Sequence, residues 1–169
     1  MKRILLTGMS GTGKSSIIAK LTTRGYKAID ADSATYSEWV SADGNPTGAK
    51  EGQDWMWQVE RIQNLLNTED AEVLFLSGCA ENMGQFFSQF DHIILLRAPA
   101  EVILERLQSR TNSAYGKRPE EITQVLYNSH TIEPLLRKAA GHEIDTCTPL
   151  EEVVAEVLRV TLNTHKEKP

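Results

Sequence analysis

Apolar residues cluster in short runs that end on polar, turn-forming ones: Arg3–Thr7, Tyr26–Asp30, Val73–Leu76 and His92–Leu96, with a last, weaker run at His142–Thr146. The middle of such a run does not alternate with polar residues, which predicts strands buried on both faces of a sheet. Between the runs the period lengthens. Ser15–Leu21 carries a helical pattern, and from Gln53 to Asn67 the residues Trp55, Val59, Ile62 and Leu66 recur at helical spacing with Gln, Glu and Arg between them. A further helix is predicted from Pro99, in its first turn, through Arg110, another over Pro119–Ala140, and a closing one from Pro149 with Leu150, Val154, Val157 and Leu158 on its apolar side. Ser41–Gly52 gathers Gly, Pro, Asn and Asp and reads as a loop. Thr111–Lys117 is a polar interruption between two helices, the composition of a small lid, and the polar end from Asn163 is expected to fray.

Strands alternating with helices predict an α/β chain with a mostly parallel five-stranded sheet and helices on both faces, a three-layer sandwich. At 169 residues and 40% hydrophobic content the expectation is one domain spanning residues 1–169, with its lid region at about 111–118. There is no internal repeat or low-complexity segment.

Composition narrows the partners. A net charge of −5 argues against a protein built to grip nucleic acid, which normally shows a basic surplus. Cys79 and Cys147 form no C-x-x-C pair, so neither a disulfide framework nor a thiolate metal site is expected, and a reducing cytoplasm is. The apolar run after Met1-Lys2-Arg3 is too short for a signal peptide, and no segment approaches a membrane span. The expected partners are small molecules, with the chain a monomer or a weak homo-oligomer.

The chemistry starts at Gly8-Met9-Ser10-Gly11-Thr12-Gly13-Lys14-Ser15, a full match to G-x-x-x-x-G-K-[ST] between a predicted strand and a predicted helix. Its glycines let backbone N–H groups turn toward phosphate oxygens, and the following helix offers its N-terminus to the same charge. Gly8, Ser10, Gly11, Thr12, Gly13, Lys14, Ser15 and Ser16 are therefore candidate nucleotide contacts, Lys14 reaching the β- and γ-phosphates and Ser15 placing its hydroxyl on Mg²⁺. The expected cofactors are ATP and Mg²⁺.

Asp30-Ala31-Asp32 closes the second predicted strand, and in an open parallel sheet ligands lie beyond the carboxyl ends of the strands. One carboxylate can orient Mg²⁺ through its water shell and the other can take a hydrogen bond, or a proton, from an acceptor hydroxyl. Asp32 is the candidate base. Its bland alternative is a helix N-cap. Arg106 and Arg110 stand four apart on one helix face, and Lys117 and Arg118 follow across the polar loop. Arg110 and Arg118 are the better placed to neutralise a transferring phosphoryl group; Arg106 serves equally well as a surface partner of Glu101 or Glu105.

These residues together resemble the small P-loop kinases of the adenylate kinase and shikimate kinase type over nearly the whole chain: the phosphate loop, the D-x-D after the second strand, the "RT…RP" lid and "IDT" fall in that order. The resemblance implies that Arg110 stacks on adenine, that Arg118 contacts phosphate, that Asp30 serves Mg²⁺ and Asp32 the acceptor hydroxyl, and that Thr148 in "TCTP" lies against adenine. The catalytic set it implies is Lys14, Asp32 and Arg118, the metal set Ser15 and Asp30.

The departures concern the acceptor. Shikimate kinases hold the substrate carboxylate with an F-R-x-x-E arginine, where this chain has "MWQVE"; they carry a glycine triplet where Ser77-Gly78-Cys79 stands, and an arginine where Ile132 precedes Pro134. The "DG-[FY]-P-R" of nucleoside monophosphate kinases is missing as well. Shikimate is therefore not the expected acceptor, and the acceptor contacts must come from Trp39, Trp55, Trp57, Glu60, Arg61, Glu81 and Asn82. Trp55 fits the apolar stripe of its predicted helix and is expected in the core, Trp57 against the ligand. The function expected is transfer of the γ-phosphate of ATP to a small-molecule hydroxyl or phosphate. The alternatives are a nucleotide hydrolase or sensor, although the N-K-x-D of GTPases is absent, and a non-catalytic binding module.

Overall fold

A computed structural model describes residues 1–43, 50–111 and 115–162. In chain order the elements are β1 (Lys2–Thr7), α1 (Lys14–Thr23), β2 (Lys27–Asp30), β3 (Ser37–Ser41), β4 (Gln53–Trp57), α2 (Val59–Leu66), β5 (Val73–Ser77), a 3₁₀ helix at Glu81–Gln89, β6 (His92–Arg97), α3 (Ala100–Ser109), α4 (Pro119–Thr131), α5 (Glu133–Ala139), β7 (His142–Asp145) and α6 (Leu150–Leu162). Five strands form a parallel sheet in the order β2-β5-β1-β6-β7. β1 is central, with Ile4 opposite Phe75 on one side and His92 on the other.

Consecutive strand residues point to opposite faces, so the runs divide into two apolar layers. Ile4, Leu6, Phe75, Ile94 and Leu96 pack with Ile17, Ile18 and Leu21 of α1 and with Val153, Val154, Val157 and Val160 of α6. Leu5, Leu74, Leu76 and Leu95 face the other way, against Trp57, Ile62, Leu66, Met83, Phe86, Ile103 and Leu107. This double burial is why the strands read as continuous apolar runs. It yields the expected three layers.

Two expectations need correction, and one element was not expected. Gln53–Asn67 is not one helix: Gln53–Trp57 forms β4, antiparallel to β3 with Trp39 opposite Trp55, and only Val59–Leu66 is helical. The aromatic-rich strand pairs with β3, and Gln58 N–H closes the hairpin on the Tyr36 carbonyl at 2.7 Å. Val59 is consequently exposed, and the buried face of α2 is Ile62, Leu65 and Leu66. Pro119–Ala140 is two helices, because Pro134 has no N–H to continue α4 and instead sits in the first turn of α5. Glu81–Gln89, unassigned in the sequence, is the 3₁₀ helix. The loop expected at 41–52 and the lid expected at 111–118 fall in part, at 44–49 and 112–114, outside the described residues.

The chain crosses from β1 to β2 and β5 on one side, then to β6 and β7 on the other. A crevice opens where the direction reverses, beyond the carboxyl end of β1.

Candidate functional site

The residues after β1 form a tight loop leading into α1. Gly13, at the N-cap, has φ +97°, a conformation that costs glycine little and other residues more. Thr12 donates its hydroxyl to the Met9 carbonyl at 2.8 Å, and Lys14 folds its ammonium back onto the carbonyls of Gly8 (2.7 Å) and Met9 (3.2 Å). Ser10 through Ser16 line a cavity of about 510 Å³ that Asp30, Asp32, Arg106, Arg110, Thr146 and Thr148 complete. Gly8 supports this wall through its carbonyl without lining it. The loop followed by a helix N-terminus is an arrangement that receives phosphate.

Asp30 and Asp32 stand at the carboxyl end of β2 with different jobs. Asp30 accepts the Ser15 hydroxyl at 2.9 Å and the Asp32 backbone N–H at 3.1 Å, which ties β2 to the first turn of α1. The Asp32 carboxylate is held by Trp57 Nε1 at 3.1 Å and by the Cys79 N–H, 3.1 Å from each oxygen. No helix follows Asp32, so it is not an N-cap. Burial pushes its carboxyl up, opposed by the Lys14 charge and the Trp57 hydrogen bond, reinforced by the Asp30 charge and opposed again by the Cys79 N–H. A raised carboxyl beside a phosphate loop fits a proton acceptor. For Mg²⁺ the donors are one hydroxyl and one carboxylate, hard oxygen ligands that leave the remaining positions to water and phosphate. That set fits the ion. Among the described residues no group of three or more His, Cys, Asp or Glu side chains forms a self-sufficient metal site.

The arginines separate. Arg110 lines the cavity and donates to the Tyr115 carbonyl at 2.9 Å, while its buried Nε has no hydrogen-bond acceptor among the described residues. Arg106, on the same face, grips the Thr146 carbonyl (2.5 Å), the Thr146 hydroxyl (2.9 Å) and the Gly11 carbonyl (3.3 Å). It fastens the phosphate loop to the end of β7 rather than pairing with Glu101 or Glu105. Arg118 is exposed, chelates Glu121 from the N-terminus of α4 (2.7 and 3.1 Å) and lines no cavity described here.

A second cavity, about 1080 Å³, opens on the other side of Lys14 and Asp32. Trp39, Trp55, Phe87 and Tyr115 supply aromatic walls, and Asp54 and Glu81 its carboxyl groups. Here the tryptophans exchange their expected roles. Trp57 is 2% exposed, packed beside Phe86 in the core, whereas Trp55 lines the cavity; two apart in β4, the indoles share one face of the strand, and Trp57, at its end, is the one that reaches the core. Glu60 and Arg61 line neither cavity, the latter donating to the Thr35 carbonyl. Asn82 brackets the Trp57 backbone, accepting its N–H at 3.0 Å and donating to its carbonyl at 2.8 Å.

Sequence reasoning missed Gly78. A Cβ there would lie 2.6 Å from Asp32 Oδ1 and 2.7 Å from Trp57 Cζ2, so glycine is what lets the carboxylate and the indole meet. The signal was the small residue after a buried strand, in "LSGC".

A model of the AAA domain family matches residues 4–128. Shikimate kinase 2 of Yersinia enterocolitica is 31% identical, the match covering 93% of this chain and 94% of that one. A putative adenylate kinase of Archaeoglobus fulgidus is 32% identical over 91% of this chain and 79% of its own length. Among solved structures, a shikimate kinase from Acinetobacter baumannii in complex with shikimate superimposes with a TM-score of 0.66, 20% identity and 99% and 96% coverage, a likeness of fold.

Proposed function

The chain belongs to the AAA domain family of P-loop proteins, homologous to shikimate kinase and adenylate-kinase-like proteins, and we propose that it is an ATP-dependent phosphotransferase acting on a small-molecule hydroxyl. One observation carries the reading: Lys14, Ser15, Asp30, Asp32 and Arg110 line both cavities. A nucleotide in the smaller and an acceptor in the larger would meet across these side chains. A hydrolase has no need of a second, aromatic-walled cavity on the same carboxylate.

In this reading the phosphate loop binds ATP, Lys14 neutralises the β- and γ-phosphates, and Arg110 and Thr148 flank the base. Ser15 and Asp30 would hold Mg²⁺, which when bound offsets the phosphate charge. Asp32 accepts the proton of the acceptor hydroxyl as its oxygen bonds to the γ-phosphorus and the bond from that phosphorus to the bridging oxygen breaks, leaving ADP. The missing family arginines argue against shikimate itself. Arg118 reaches the transferring group only if it leaves Glu121, so Arg118→Ala separates a catalytic from a capping role: the first lowers turnover, the second only stability.

The test is a coupled ADP-release assay against nucleosides, sugars, hydroxy acids, amino alcohols and antibiotics, with a water-only control. Turnover that depends on one acceptor is expected. Equal turnover in water alone would establish the hydrolase instead.

A further inference from the structure

The larger cavity has a polarity of its own. Of its walls, Lys14 and Arg110 are shared with the nucleotide side, and the residues that belong to it alone include the carboxyl groups of Asp54 and Glu81 but no Lys, Arg or His. Residues 44–49 and 112–114, the internal segments beyond the described ones, contain no ionisable side chain. Among the described lining residues, an acceptor bearing a carboxylate or phosphate would find no cation beyond those that serve ATP, and would face the negative charge of the Asp54–Glu81 pair.

The aromatic wall points the same way. Trp39 and Trp55 pack edge to face at 5.0 Å, and Lys50 already holds its ammonium 5.3 Å above the Trp39 ring. Indole faces attract cations, and the Lys50 ammonium over Trp39 is one such contact. Glu81 is an exposed lining residue of the same cavity, while Asp54 is fully buried and shares a hydrogen bond with the Glu81 carboxyl. That contact, with burial and the Asp54 charge, pushes Glu81 up from the ordinary carboxyl range, a repulsion that an ammonium would relieve.

We propose that the acceptor is an alcohol carrying a positively charged amine and no acidic group, its hydroxyl presented to Asp32 and its ammonium to Glu81 beside the rings of Trp39 and Trp55. The inference rests on the phosphotransferase reading above. Asp54 then acts as a positioning residue, holding Glu81 from below.

The experiment uses the full chain with ATP and Mg²⁺ and three matched panels: amino alcohols and amino sugars, uncharged polyols and nucleosides, and hydroxy acids and nucleoside monophosphates. ADP release is expected to be fastest with the first panel. Glu81→Gln should raise KM for the preferred amine about 10- to 100-fold, the loss of a charge-assisted hydrogen bond, with KM for ATP unchanged. Fastest turnover with the uncharged or the acidic panel overturns the proposal while leaving the phosphotransferase reading intact. An unchanged amine KM in Glu81→Gln overturns it too. ADP release that no panel raises above the water control overturns both.

Discussion

Replacing Gly78 with alanine tests whether the Asp32 carboxylate works where it is held. The added Cβ would sit 2.6 Å from Asp32 Oδ1, 2.7 Å from Trp57 Cζ2 and 3.0 Å from Trp57 Nε1, roughly 1 Å inside comfortable van der Waals separation. Something must yield. Trp57 is poorly placed to, being 2% exposed, stacked near Phe86 and bracketed by Asn82 through its backbone. The carboxylate therefore shifts and loses the Cys79 N–H and Trp57 Nε1 hydrogen bonds. Overpacking of this kind costs about 1–3 kcal/mol, or roughly 2–12 °C in Tm for a chain of this size. A misplaced general base costs transfer about 10²–10⁴-fold. The expected result of ADP-release kinetics, calorimetric ATP binding and thermal melts is a modest loss of Tm, a large loss of kcat, and ATP affinity within about twofold, because the phosphate loop is untouched. Trp57→Phe keeps the ring and removes one N–H that favours the charged carboxylate. Asp32 should then titrate higher, moving the acid limb of the pH–rate profile up in pH. Gly78→Ala with unchanged kcat and a lowered Tm would refute the assignment of Asp32 as the positioned base.

Three further outcomes follow from the same geometry. Lys14→Ala, which removes the ammonium over the phosphate loop, should weaken ATP binding by 100-fold or more, on the order of the 3 kcal/mol attached to a charge-assisted contact, as calorimetry would show. Asp32→Asn should abolish transfer yet retain ATP binding, and should melt at a higher temperature than the parent at neutral pH. The sign follows from a folded-state carboxyl raised mainly by burial: the native chain holds the proton more tightly than the unfolded chain, so ionisation of Asp32 removes stability as pH rises from the ordinary carboxyl range through the raised one. Glu121 has the opposite sign, lowered to about 2 by Arg118 and by the N–H groups of Arg118, Lys117 and Gly116, so its contribution is present above the ordinary glutamate range and is lost as pH falls toward 2. In Glu121→Gln those amides should exchange hydrogen faster at neutral pH, and unchanged protection would show that the carboxylate does not anchor them.

What could be read from the sequence is what is local in the sequence. The phosphate loop is eight consecutive residues between a strand and a helix, and Asp30 and Asp32 need only the end of one strand to be placed. The parallel sheet announced itself through runs buried on both faces, Ile4-Leu5-Leu6 being the clearest. The misreadings occur where long-range pairing decides. Trp55 fits a helical stripe as well as a strand, and only the distant Ser37–Ser41 settles which element Gln53–Trp57 forms and, with it, where the two indoles lie. Arg106 offered two equal readings because its partner, Thr146, lies forty residues on. The role of Gly78 depends on the Asp32–Trp57 hydrogen bond beside it, a contact between residues far apart in sequence.

The two halves of the site also differ in how they are built, and this bears on how specificity can change. The nucleotide side is fixed by the central strand of the five-stranded sheet, with α1 and α6 packed beneath it, so its geometry is inseparable from the core. Part of the acceptor side, Trp39, Asp54 and Trp55, rests on β3 and β4, which pair with each other and with no strand of the main sheet. Substitutions at Trp39 can therefore reshape the larger cavity without disturbing the phosphate loop. Trp55 and Trp57 are the exceptions: Trp55 Nε1 donates to the Asp32 carbonyl at 2.8 Å, and Trp57 fills the core below the sheet and donates to the Asp32 carboxylate, so the hairpin is tied to the base by two indoles. A hairpin transplanted from a relative should change acceptor choice while keeping turnover only if a hydrogen-bond donor is preserved at position 57. A graft that lacks the donor and still transfers phosphate at the parental rate would show that the hairpin and the base are independent.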